Sequence, residues 1–309
     1  MTIRHHLTRT LAVAASLGLV LAVSAPVTAS AQSGSTRAKL LVSADWLKDH
    51  VADKGLVILY VGERKDYDAG HIPGAQYVSL LSWSGTTAGG DALTLELPTA
   101  ENLRAKLQGL GISDRSRIIV YAGKSDTQSA TRILFTLAAA GLGDHAALLD
   151  GGMTEWKRLA YPTSTLEPTV TPGRLAPLKY KTNVVDAAFV QSHANVPGYK
   201  VIDARAGVFY DGALGMNGLK GHVPGATSLP FYSVTGTDQK LKSAEELTAE
   251  FKAAGVKPGD HVIAYCHVGQ QATAVILAAR SLGFDAVLYD GSFEDWSRRK
   301  LPVEAAAAK

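Results

Sequence analysis

The chain has a single cysteine, Cys266, and its surroundings invite nucleophilic chemistry. It follows the apolar run His261–Tyr265 and precedes His267-Val268-Gly269-Gln270-Gln271, after which a helical pattern begins at about Ala272. A strand that ends in a tight loop and re-enters a helix turns several backbone N–H groups toward one point, and the helix dipole adds positive potential there. Such a cradle favours a thiolate, the nucleophilic form of cysteine, and holds an anion attached to it. Gly269 lets the loop curl without a Cβ clash. His267 offers a charge that changes near neutral pH, or else an ordinary loop side chain facing solvent. Gln270 and Gln271 offer donors to a ligand, or cap the helix. The plain alternative for Cys266 is an inert core residue, since free cysteines are commonly buried. Its strand–loop–helix position argues against that.

Other chemistries lack their residues. One cysteine makes no intramolecular disulfide and no cysteine-based zinc site. No Gly-x-Ser-x-Gly element supports a serine hydrolase. A cysteine phosphatase needs an arginine closing its loop to clamp phosphate; the sixth residue after Cys266 is Ala272, and the next arginine is Arg280. Arg205, two residues after Asp203, either attracts an anionic ligand or forms a structural ion pair with that carboxylate.

The elements that must position Cys266 occur twice. Gly70-His71-Ile72-Pro73-Gly74-Ala75 recurs as Gly221-His222-Val223-Pro224-Gly225-Ala226. Arg117-Ile118-Ile119-Val120-Tyr121 matches His261-Val262-Ile263-Ala264-Tyr265, and Asp150-Gly151-Gly152 with Trp156 matches Asp290-Gly291-Ser292 with Trp296. A shared order across the chain means two copies of one domain, with a period too long for a solenoid. His71 and His222, present in both copies, read as turn architecture, and Trp156 and Trp296 as packing residues.

Within the second copy, strands are expected at 200–204, 261–265 and 286–289. Ser243-Ala244-Glu245-Glu246 has capping-box spacing and opens a helix carrying Leu247 and Phe251. Another helix is expected from about Ala272 to Leu282, stopped by Gly283. Strands separated by helices imply an α/β fold whose mainly parallel sheets carry helices on both faces. The Pro/Gly-bearing stretch 166–180 suits an extended linker, between a first domain at 32–165 and a second at 181–309.

These elements together resemble the rhodanese family: the GHIPGA and GHVPGA turns, Val201-Ile202-Asp203-Ala204-Arg205, the Tyr265-Cys266 loop and the two Asp-Gly-x-x-x-x-Trp segments. The tandem arrangement is similar to thiosulfate and 3-mercaptopyruvate sulfurtransferases. That resemblance implies a catalytic Cys266 carrying persulfide sulfur from a small anionic donor to a thiophilic acceptor such as cyanide, with no metal or organic cofactor. It implies substrate contacts from His267, Val268, Gly269, Gln270, Gln271 and Arg205, with Asp203 as structural support. Thiosulfate is the expected donor, 3-mercaptopyruvate the alternative, and a non-catalytic sulfur-carrier or binding module the other class of reading. In the first copy Ala122 stands in place of Cys266, while Tyr60 and Gly62 replace Asp203 and Arg205, so that copy is expected to be an inactive scaffold walling the site.

Composition sets the remaining bounds. Apolar residues at 46% and charged residues at 19% fit a folded chain, and a formal charge of +3 with no dense basic run gives no reason to expect nucleic acid. Residues 1–31 have a basic start, an apolar run from Leu11 to Val23 and the small-x-small ending Ala29-Ser30-Ala31. This is the pattern of a cleaved signal peptide, so the expectation is a mature start at Gln32, a periplasmic or secreted location, no membrane association after cleavage, and a monomer.

Overall fold

The computed structural model describes residues 1, 36–85, 92–124, 126–181 and 183–305. The expected signal peptide, and the Ala-rich end from residue 306, lie outside these. Two five-stranded sheets, every neighbouring pair parallel, repeat one topology. In the first, β1 (Leu41–Val42), β2 (Leu56–Val61), β3 (Ala75–Val78), β4 (Arg117–Ala122) and β5 (Ala146–Leu149) lie in the order β1-β5-β4-β2-β3. Its helices are α1 (Ala44–His50), α2 (Arg64–Ala69), α3 (Ala100–Gly109), α4 (Thr127–Leu137) and α5 (Gly152–Arg158).

The second sheet is built from β6 (Val184–Val185), β7 (Tyr199–Asp203), β10 (Thr227–Ser228), β11 (His261–Tyr265) and β12 (Ala286–Tyr289), in the order β10-β7-β11-β12-β6. A short hairpin, β8 (Gly215–Met216) with β9 (Leu219–Lys220), stands apart from it. Its helices are α6 (Ala187–His193), α7 (Gly207–Tyr210), α8 (Ala244–Ala253), α9 (Ala272–Ser281) and α10 (Ser292–Arg298). Ser243 and Glu246 close the capping box that the sequence indicated, which stabilises α8 by about 1 kcal/mol. Among the described residues no helix is long and apolar enough to cross a membrane.

Both faces of each sheet are covered because successive strand residues point to opposite sides. Val262, Ala264 and Cys266 face α8 and α9, whereas Ile263 and Tyr265 face the opposite layer with Phe293 and Trp296. All of these are buried, and each large apolar side chain so buried contributes about 1.5–3 kcal/mol. The core also crosses between the copies: Phe135 and Ala139 of the first pack with the second copy's cluster, and Leu277 packs with the first's.

One pair of polar contacts between the copies is reciprocal. Asp290 accepts the backbone N–H of Leu97 at 2.9 Å, and Asp150, its counterpart, accepts that of Leu241 at 2.8 Å. The stretch expected as a linker is tied to the first copy, with Gly173 N–H donating to Gln108 O and Arg104 donating to Leu175 O.

The repeated turns follow one plan. His71 Nδ1 lies 2.9 Å from Tyr67 O, and His222 Nδ1 lies 2.9 Å from Tyr210 O, each imidazole stacked on that tyrosine. Trp156 and Trp296 donate to Pro162 O and Pro302 O. These groups serve turn and packing architecture in both halves.

Candidate active site

Cys266 leaves the sheet earlier than its counterpart does. In the first copy the β2–β4 ladder runs through Val61 opposite Ala122, and Gly123 N–H then donates to Val61 O at 2.8 Å. In the second copy the β7–β11 pairing stops at Asp203 opposite Tyr265. Cys266 is thus the first residue past the ladder. From it the loop turns through Gly269, whose φ of +78° suits glycine, into α9.

Among the described residues no acceptor meets the backbone N–H groups of residues 267–272. The first bonds of the following turn run from Thr273 to Gln270 O and from Ala274 to Gln271 O. A run of unused donors at a helix entry suits an anion. Cys266 itself is 0% exposed.

The side chains of the loop divide their roles. His267 Nδ1 sits 3.2 Å from Gln271 Oε1, and its ring meets Phe209 edge-on. Burial lowers the His267 pKa below its usual value, opposed by the Gln271 hydrogen bond, so the imidazole is neutral at neutral pH. Gln270 Nε2 donates to Ser129 Oγ of the first copy at 2.6 Å. Val268 is half-buried.

Arg205 forms an ion pair with Asp203, one of the two roles the sequence allowed. It is fully buried, as is Asp203. Its Nε lies 3.0 Å and 3.1 Å from the two carboxylate oxygens, and one terminal nitrogen reaches Asp203 Oδ2 at 2.6 Å and Gly221 O at 2.7 Å. Tyr265 donates to the same carboxylate at 2.6 Å, and the guanidinium lies 3.9 Å from the Phe293 ring centroid. Its charge is paired with Asp203, while its Nη1 is buried without a hydrogen-bond partner among the described residues.

The first copy contributes a residue that the sequence did not single out. Arg132, on α4 and 3% exposed, donates to Gly269 O at 3.0 Å and pairs with Asp290 Oδ1 at 2.7 Å. It also donates to Leu95 O. A Cβ on Gly269 would stand 2.8 Å from Asp290 O and 2.9 Å from the Arg132 guanidinium. Scaffold and loop are fitted to each other.

In the first copy the position after Ala122 is crowded. A Cβ placed on Gly123 would lie 2.4 Å from the Tyr60 hydroxyl. Burial, ahead of nearby carboxylates, pushes the Tyr60 pKa up to about 12, so this hydroxyl stays neutral. A cleft of about 730 Å³ lies beside β6 and is lined by Phe189, Tyr199, His261 and Asp290 among others. Cys266 does not line it, so volume is no guide to the chemistry here.

Comparison with known proteins agrees with the geometry. The rhodanese-like domain family matches residues 43–159 and 186–299. The sulfur carrier protein TtuD of Thermus thermophilus is 28% identical over 279 residues, covering 85% of this chain and 95% of that protein. Thiosulfate/3-mercaptopyruvate sulfurtransferase 1, mitochondrial, of Arabidopsis thaliana is 27% identical over 300 residues, 86% of this chain and 78% of that protein. Among solved structures, the anaerobic ergothioneine biosynthesis enzyme of Chlorobium limicola superposes with a TM-score of 0.78 at 21% identity, covering 88% of this chain and 71% of that one, a likeness of fold. With two matched segments, each ending in its own Asp-Gly-x-x-x-x-Trp element, the chain belongs to the rhodanese family.

Proposed function

We propose that this protein is a sulfurtransferase that carries sulfane sulfur on Cys266, with thiosulfate as donor. The observation that carries the reading is the run of unused backbone N–H groups at 267–272 that immediately follows the only thiol in the chain. The Cys266 thiolate attacks the outer sulfur of thiosulfate; the S–S bond breaks, and sulfite leaves with the electron pair. The resulting persulfide carries a negative charge that the loop donors stabilise. A thiophilic acceptor such as cyanide attacks the outer sulfur, leaves as thiocyanate and returns the thiolate, in two covalent half-reactions. Burial of Cys266 supports a small donor and protects the thiol from further oxidation.

A second reading, 3-mercaptopyruvate as donor, is favoured by one observation. His267 is neutral and Arg205 is paired, so neither adds a free positive charge for a dianion. Both donors occur in the name of the Arabidopsis relative. The reading further takes the chain to be exported, cleaved after Ala31 and active as a monomer, because one chain carries the whole loop and its supports.

The test is the intact mass of the protein after brief exposure to thiosulfate, beside Cys266→Ser. Gain of one sulfur in the unsubstituted protein alone, removed by cyanide, supports the thiosulfate reading. No gain from thiosulfate but gain from 3-mercaptopyruvate moves the assignment to the second donor. No gain from either, with the thiol shown to be reduced, sinks the enzyme reading and leaves a binding module.

A further inference from the structure

Ser292, the first residue of α10, is fully buried and has φ +52°, a left-handed conformation that non-glycine residues seldom adopt. Its counterpart in the first copy is Gly152, at φ +50°. The two copies share this left-handed φ, although the residue before it differs, Gly151 being left-handed at φ +83° and Gly291 right-handed at φ −64°, and only the second copy carries a side chain at the shared position. A Cβ on Gly152 would stand 2.8 Å from Ala122 O and 3.3 Å from Ala122 N, so the turn presses against the residue that corresponds to Cys266. Glycine fits this position better on steric grounds. Serine is therefore kept against a local cost, the pattern by which strain points to function.

What the serine does is visible in its bonds. Its Oγ accepts the Cys266 N–H at 3.2 Å and donates to Tyr289 O at 2.8 Å. The next two residues continue the clasp: Phe293 N–H donates to Cys266 O and Glu294 N–H to His267 O, both at 2.9 Å. Among the described residues no bond joins Gly152 or Met153 to Ala122 or Gly123 in this way. The clasp belongs to the copy that keeps the cysteine.

We propose that Ser292 is the positioning residue of the Cys266 nucleophile: its hydroxyl holds the Cys266 peptide and so aims the sulfur relative to the free donors of the loop. Ser292 touches no substrate. It occupies the Cys266 N–H at the start of the loop and so holds the peptide on which the side chain stands. The inference rests on the reading of Cys266 as a sulfur carrier.

The experiment compares the unsubstituted protein with Ser292→Gly and Ser292→Ala. Each is followed by stopped-flow or quenched-mass measurement of persulfide formation across donor concentrations, by iodoacetamide alkylation of Cys266 at fixed pH, and by thermal melting. Ser292→Gly is expected to melt no lower than the unsubstituted protein, because the left-handed turn is relieved. Its maximal rate of persulfide formation is expected to fall by about tenfold or more, the scale of a misaimed nucleophile, while the donor concentration at half-maximal rate changes by less than about threefold. Ser292→Ala keeps the strain and loses the bond, so it is expected to match the rate loss and also melt lower. Unchanged maximal rate and unchanged alkylation in Ser292→Gly overturn the proposal, as does a rate loss that merely follows a lowered melting temperature. If the unsubstituted protein gains no sulfur from either donor, the carrier reading fails instead, and the alkylation rates still report whether Ser292 governs the thiol.

Discussion

The guanidinium of Arg132 meets the carbonyl oxygen of Gly269 at 3.0 Å, joining a helix of the copy without a nucleophile to the loop of the copy that has one. The same guanidinium pairs with Asp290 at 2.7 Å. Arg132→Met leaves the Asp290 carboxylate without its cation, and loss of one partner from a buried pair costs about 3–5 kcal/mol. Urea unfolding should register that loss. Arg132→Lys keeps a charge but not the fork of donors, so it should retain more stability while lowering turnover by about tenfold, a mispositioning effect. Full turnover in both variants would show that the loop does not need this contact.

Gly269→Ala introduces two costs at one position. A left-handed non-glycine residue costs about 1–2 kcal/mol, and here the new methyl meets Asp290 O at 2.8 Å as well. Gly283→Ala serves as the control, since its φ is +89° and a Cβ there meets nothing within 4 Å. Both variants should lose stability, but only Gly269→Ala should lose turnover per folded molecule. Kinetics corrected for the folded fraction separate the two.

Restoring a thiol to the first copy should not restore chemistry. Ala122→Cys, made in the Cys266→Ser background, places sulfur where the loop N–H of Gly123 is already bonded to Val61 O and where Tyr60 crowds the neighbouring Gly123. Mass measurement after thiosulfate should find no added sulfur. Persulfide on the introduced thiol would mean that a cysteine alone, without its loop, is enough.

Much of this was legible in the sequence because the chain is its own comparison. The repeated turns located both copies, and the run His261–Tyr265 was read with its observed bounds, whereas β7 begins and ends one residue before the expected 200–204. Cys266 and Gly269 stood out by residue type. Arg132 did not, because it lies in the copy without chemistry. The available signal was a lone arginine within Thr131-Arg132-Ile133-Leu134-Phe135, where an apolar helix must pair any charge it buries. Ser292 was hidden differently, as one departure from Gly-Gly within a matched element, and its meaning depends on a dihedral angle that no spacing reveals.

The contact between Lys240 and Glu155 makes a pH-dependent prediction. Arg158 first, and then Lys240 of the second copy, draw the Glu155 pKa down from 4.5 to about 2, against the opposing effect of burial. A carboxylate with a lowered folded pKa stabilises above its unfolded value, and that stabilisation is lost as pH falls from about 4.5 toward 2. Lys240→Met should therefore melt below the unsubstituted protein at pH 6, with the gap narrowing below about pH 4.5 and closing only below about pH 2. Melting curves across this range check it; a gap independent of pH would assign the effect to lost packing by the lysine stem.

The exchange in which Asp290 takes the Leu97 N–H and Asp150 takes the Leu241 N–H has the form of a two-fold axis. Contacts of this kind are self-complementary, the mark of an isologous dimer, in which a patch on each subunit meets the same patch on the other. The two halves of this chain therefore stand to each other as a symmetric pair of subunits would, joined by the stretch between the two matched segments. In such a pair each subunit would guard its neighbour's loop and have its own guarded in return. Tethering removes the need for that equality: one half keeps the thiol, and the other is free to become the permanent partner that holds it.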